Sequence, residues 1–284
     1  MRVWTEGSVS VRVKRSFRAR IFVGIAVSLM LLAGCSHSSD GSVTSPAAKT
    51  SAAPEPLTFV ALGDSWPEGA HCGYCETFAG RYADGLKTLT GRPVHFVDLT
   101  GSAQPFFQTG GGGTASLLRA LSEDSSFRDQ VASGDVTMIA TGPNELERAF
   151  HPYAEGHCGA GFACVQRLEH FWLRNFDAIL DEVDRLRGDR PTAIRLVSAA
   201  NFFISDPSVT KGLPPDAMEF GAKSFEALNT AECNAARTHD AICVDVRPVL
   251  NGPTMDQPVD ENSPKSMQAV ADALLATGLP ELEG

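Results

Sequence analysis

The chain lacks a surplus of positive charge: 24 Lys and Arg stand against 34 Asp and Glu, for a formal net charge of −10. Nucleic-acid binding relies on basic surface that neutralises phosphates, so that class is excluded. No apolar run reaches the ~20 residues of a membrane-spanning helix. The glycine run at 109–114 lacks the Lys-Ser/Thr that completes a phosphate-cradling P-loop and follows no strand directly, so it reads as a surface loop. No second close Cys or His pair accompanies Cys72 and Cys75 in the manner of a zinc site. No metal or cofactor is therefore expected. Internal repeats are missing, as is any sign of a second globular domain.

What is present begins with an address. Residues 2–20 carry six basic side chains (Arg2, Arg12, Lys14, Arg15, Arg18 and Arg20) and one acid, Glu6. An apolar stretch of 13 residues follows at 21–33. A basic flank with a short apolar core reads as an export signal over residues 1–34. The sequence Leu31-Leu32-Ala33-Gly34-Cys35 resembles a bacterial lipobox, which implies lipid on Cys35 and attachment to the outer face of the bacterial cell membrane. Residues 35–56 are rich in Ser, Ala, Pro and Thr and bury too little to order themselves, so they read as a tether. The globular part is placed at 57–284, long enough for one packed domain. Removing the signal takes away six basic residues and one acid, leaving a net charge of −15. The membrane is thus expected as a partner only through the anchor.

Seven cysteines occur, and after Cys35 the other six fall as near pairs. An even count in an exported chain implies disulfides. Local pairing is chosen among the possible connectivities because each pair flanks a candidate loop or turn: Cys72–Cys75, Cys158–Cys164 and Cys233–Cys243.

Strand-like runs at 57–62, 94–99, 136–140, 193–198 and 241–246 alternate with helical patterns. The clearest helix is 165–187, with Leu168, Phe171, Trp172, Phe176, Ile179, Leu180, Val183 and Leu186 on one stripe. Helices are also expected at 216–238 and 265–277. The alternation predicts an α/β domain on a five-stranded parallel sheet, with ligands at the carboxyl ends of the strands.

Three motifs sit at those ends: Gly63-Asp64-Ser65, Thr100-Gly101-Ser102 and Gly142-Pro143-Asn144-Glu145. The first presents a serine at a turn, a nucleophile once a base takes its proton. Gly101 can bring a backbone N–H close to a reacting oxygen, and Asn144 offers a side-chain amide; donors of this kind stabilise the oxyanion of acyl transfer. With Phe59-Val60-Ala61-Leu62 ahead of the first motif, the chain resembles the SGNH, or GDSL, hydrolases, a family of esterases, lipases and acylhydrolases, over most of 57–280. The resemblance implies a flavodoxin-like three-layer α/β/α sandwich. It also implies Ser65 as nucleophile and an oxyanion hole from the Ser65 N–H, the Gly101 N–H and the Asn144 side chain. The substrate would be a small-molecule or lipid ester, and the protein a monomer.

The family closes with Asp-x-x-His-Pro. Here Asp260-Glu261-Asn262-Ser263-Pro264 keeps the aspartate and proline, while Ser263 replaces the histidine. Asp260 remains a catalytic candidate by the motif. His71, six residues past Ser65, and His151 and His157, in the loop after Asn144, are the candidate substitute bases. Trp66, Phe106 and Phe107 suggest an apolar rim. The alternative to a serine esterase is a catalytically impaired binding lipoprotein. A third reading, a thiol–disulfide oxidoreductase, rests on Cys72-Gly73-Tyr74-Cys75 opening a helix.

Overall fold

The structure is a computed structural model that describes residues 54–73, 75–101, 105–106, 112–204 and 210–283. The export signal, Cys35, most of the tether, Ser102 and Phe107 lie outside the described residues. Those described fall within one compact unit, Ala52–Gly284. Among them no helix is long and apolar enough to cross a membrane.

Five strands, β1 Leu57–Gly63, β2 Val94–Thr100, β3 Val136–Ala140, β4 Ala193–Val197 and β5 Ile242–Val244, form one parallel sheet in the order β2-β1-β3-β4-β5. This is the flavodoxin-like order, and its direction of winding reverses between β1 and β3. The crevice beyond the carboxyl ends of those two strands is where such sheets bind ligands. Each strand ends within two residues of its expected limits.

The helices are α1 Ser65–Glu68, α2 Phe78–Thr90, α3 Gly113–Glu123, α4 Ser125–Ser133, α5 Glu147–Ala154, α6 Ala163–Arg187, α7 Ala217–Thr238, α8 Arg247–Leu250 and α9 Pro264–Leu275. Layering follows from the strands' alternation. Leu57, Phe59 and Ala61 join Phe78, Tyr82 and Leu86 of α2 and Met267, Val270 and Leu274 of α9 in one core. Val60 and Leu62 point the other way, into a core built from α3, α4, α6 and α7. Burying each large apolar side chain contributes ~1.5–3 kcal/mol, so every strand is held from both faces.

The expected stripe of α6 is the one buried: Leu168, Trp172, Phe176, Ile179, Leu180 and Val183 face the core, with Phe171 and Leu186 at its margin. Helices α2 to α5 were not singled out in the sequence. Gly80 and Gly85 dilute the pattern of α2, yet Gly85 has a packing reason. A Cβ there would meet Leu275 Cδ2 at 2.7 Å, so the glycine lets α2 and α9 approach. Of the run 109–114 expected as a surface loop, residues 109–111 lie outside the described residues, and Gly113 and Thr114 are buried and open α3.

All three disulfides pair as expected: Cys72–Cys75, Cys158–Cys164 and Cys233–Cys243. The Cys72/Cys75 pair does not open a helix, however. Cys72 ends a short 3-10 turn, Ala70–Cys72, and α2 begins only at Phe78, capped by the Thr77 side chain accepting from the Gly80 N–H. The placement that a helix-borne redox motif needs is therefore missing.

Candidate active site

The site begins at a close approach. β1 ends at Gly63, where a Cβ would collide with Pro67 and lie 2.5 Å from the Ala140 carbonyl oxygen. Glycine lets the chain turn sharply there. The Asp64 N–H then bonds the Ala140 carbonyl (3.2 Å), tying the turn to β3. The Asp64 side chain accepts from the Trp66 N–H (3.2 Å), capping α1 with Ser65 as its first residue. Gly69, at φ +80°, stops α1 after one turn, and the 3-10 turn that follows doubles back. This reversal brings His71 Nε2 to 3.1 Å from Ser65 Oγ.

From β3 the chain passes through Gly142, at φ +123°, into a 3-10 turn, Pro143–Leu146. Asn144 on that turn lines the same cavity as Ser65 and His71. The cavity measures about 110 Å³. A water needs ~10–15 Å³ on this measure, so there is room for several heavy atoms. Trp66, Pro143, Ala199, Ala200 and Phe202 give it apolar walls, and Glu261 stands at its edge. The Ala199–Phe202 wall was missed in the sequence; its signal was its place just past β4, at the carboxyl edge.

Other candidates stand apart. Gly101 follows β2 at φ +45° and is buried, but it does not line the cavity. The Glu68 carboxylate covers it so closely that a Cβ on Gly101 would collide with it. Asp260 is exposed outside the cavity and accepts from the Asn262 N–H (3.1 Å). Ser263 caps α9, accepting from the Ser266 N–H (3.2 Å). His151, on α5, and His157, paired with Glu155 at 3.6 Å, are exposed and do not line the cavity. Of the expected aromatic rim, Trp66 lines the cavity, while Phe106 packs on the core beneath the Arg119 guanidinium.

Two buried acids support the site from behind. Burial pushes the Asp64 carboxyl up to about 7 against the pull of the Trp66 N–H. Its Oδ2 has no hydrogen-bond partner. Glu145 is also raised by burial, although four hydrogen bonds pull it down. It accepts from Thr114 Oγ1 (2.6 Å), the Ala115 N–H (2.9 Å) and Trp172 Nε1 (3.2 Å). It thus bolts the Asn144 turn to the start of α3 and to α6. Gly113 makes room for it, since a Cβ there would lie 2.6–2.8 Å from the carboxylate atoms.

Chemically, a hydroxyl and an imidazole nitrogen at 3.1 Å satisfy the geometry for general-base activation of a nucleophile. A side-chain amide on the same cavity can donate to developing negative charge.

No family model and no curated protein matches this chain. Solved structures do share its fold. The lipase Lip_vut3 from a goat rumen metagenome has a TM-score of 0.63 at 20% identity, over 80% of this chain and 100% of that one. LAE5, an α/β hydrolase enzyme from the metagenome of Lake Arreo, has 0.51 at 15%, over 78% and 94%. An extracellular lipase from Streptomyces rimosus has 0.50 at 15%, over 76% and 99%. At these identities the likeness is one of fold.

Proposed function

We propose that this chain is a serine ester hydrolase of the SGNH type in which His71 replaces the histidine absent from the last motif. The observation that carries the reading is the Ser65–His71 hydrogen bond inside a cavity shared with Asn144. The lipases among the structures of the same fold support it. In the proposed reaction, Ser65 Oγ attacks the ester carbonyl carbon while His71 Nε2 takes the hydroxyl proton. The Asn144 amide, with the Ser65 N–H, stabilises the oxyanion. The imidazolium returns the proton to the leaving alkoxide, and an acyl-serine remains. Water, deprotonated by His71, then releases the acid and restores the hydroxyl.

Hydrolysis of p-nitrophenyl acetate and butyrate tests this. Ser65→Ala is expected to abolish turnover, and His71→Ala to lower kcat by ~10²–10⁴. A fluorophosphonate probe should label wild type and not Ser65→Ala. Equal rates for wild type and Ser65→Ala would leave the binding-protein reading in place. The proposal includes export and lipidation at Cys35, supported by the signal-like N-terminal pattern and by three disulfides suited to an oxidising compartment. Labelled palmitate incorporation that persists in Cys35→Ser would refute that part.

A further inference from the structure

A catalytic imidazole needs something to hold its ring, a task usually given to a hydrogen-bonded carboxylate. Among the described residues His71 has one hydrogen-bond partner, Ser65, and no acidic side chain pairs with it. The ring is exposed, and exposed side chains change rotamer in picoseconds to nanoseconds. Glycines at φ +80° (Gly69) and φ +68° (Gly73) flank the turn that carries it.

A covalent tie stands at the next residue. Cys72 is bonded to Cys75, with the two Cα atoms 5.5 Å apart. Cys75 in turn lies close under the nucleophile's turn. A Cβ on Gly69 would lie 3.3 Å from the Cys75 carbonyl oxygen and 2.8 Å from Thr77 Cγ2. Thr77 caps α2, whose Phe78, Tyr82 and Leu86 are fully buried. A continuous path therefore runs from the rigid core through α2, Thr77, Cys75 and the disulfide to Cys72 and His71.

We infer that the Cys72–Cys75 disulfide is the positioning element of the Ser65–His71 pair, fixing the backbone of the turn that carries the imidazole, and that reducing it lowers turnover reversibly. The inference rests on the reading of His71 as base. Both sulfurs belong to half-buried residues that a small reductant can reach, as do those of Cys233–Cys243, whereas Cys158 and Cys164 are buried, so the Cys72→Ser/Cys75→Ser variant, not reduction alone, assigns the effect. Dithiothreitol would supply two electrons and two protons, leaving two thiols on the protein and its own cyclic disulfide; reoxidation reverses the exchange.

The test compares the purified chain with Cys72→Ser/Cys75→Ser, Cys158→Ser/Cys164→Ser and His71→Ala on p-nitrophenyl butyrate, with melting curves for each. Misplacing a reacting group by about 1 Å can cost ~10² in rate. The Cys72/Cys75 variant should therefore lose ~10–100-fold in kcat with KM within about twofold and its fold intact. Mild reduction of wild type should give the same loss, recovered on reoxidation. The Cys158/Cys164 variant should keep its kcat. Wild-type kcat in the Cys72/Cys75 variant, with His71→Ala impaired, overturns the inference and leaves the base assignment standing. Full activity in His71→Ala removes the base assignment itself. Unfolding of the Cys72/Cys75 variant also overturns the inference, since the bond would then hold the domain and not the imidazole.

Discussion

Asp64→Asn should make the protein more stable at mildly alkaline pH, although it alters the residue beside the proposed nucleophile. Asp64 is 4% exposed, and burial raises its carboxyl from an ordinary 3.8 to about 7. Between those two values the folded chain holds up to one proton that the unfolded chain has released. Stability is therefore fully present below about pH 4 and falls as pH rises through about 7. A shift from 3.8 to about 7, at ~1.4 kcal/mol per pH unit, amounts to about 4 kcal/mol lost by pH 8. Asparagine has the same shape, can still accept from the Trp66 N–H, and never ionises. Its stability should stay near the wild-type acid plateau, so that at pH 8 it exceeds wild type by up to about 4 kcal/mol. Glu145 and Glu232 are also buried acids with raised values, and they make the wild-type slope steeper. Both remain in the variant but repel the Asp64 carboxylate, so the difference between the two proteins reads Asp64 together with the relief of these neighbours. Urea titrations every half unit from pH 4 to pH 8 would measure it. Parallel curves, or a variant less stable than wild type at pH 8, would show that Asp64 is solvated or paired and refute the reasoning.

Other outcomes follow from the same contacts. Gly101→Ala places a Cβ into the Glu68 carboxylate on a left-handed backbone; a loss of at least ~1 kcal/mol is expected, checked by urea unfolding. Ser263→Ala removes the cap of α9 and should cost ~1 kcal/mol while kcat stays within about twofold; a large fall in kcat would mean that Ser263 takes part in the reaction. Arg195 is fully buried and bonded to Glu281 at 2.7 and 3.1 Å. Glu281→Ala should therefore cost about 3 kcal/mol in urea unfolding, because it leaves a buried charge without its partner.

The sheet was legible because its three central strands, β1, β3 and β4, are buried on both faces and read as short apolar runs between turns. The caps and glycines at the strand ends also left local marks. Helices α2 and α3 were harder to see. Gly85 and Gly113 weaken a helical pattern, and their purpose, admitting Leu275 and the Glu145 carboxylate, is visible only from the far side of each contact. For the same reason nothing local marks Glu145 as the bolt between the Asn144 turn, α3 and α6.

By itself, the sequence determined the succession of strands, helices α6, α7 and α9, the motifs at the strand ends, and the local cysteine pairs. Each of these is written in periodicity or in spacing of a few residues. Tertiary structure alone decided which imidazole stands beside Ser65, that Ser263 serves as a helix cap, and that Ala199, Ala200 and Phe202 wall the cavity. The physical reason is that a 3.1 Å contact across a reversed turn depends on how the backbone bends at Gly69. No local pattern of side chains encodes that bend.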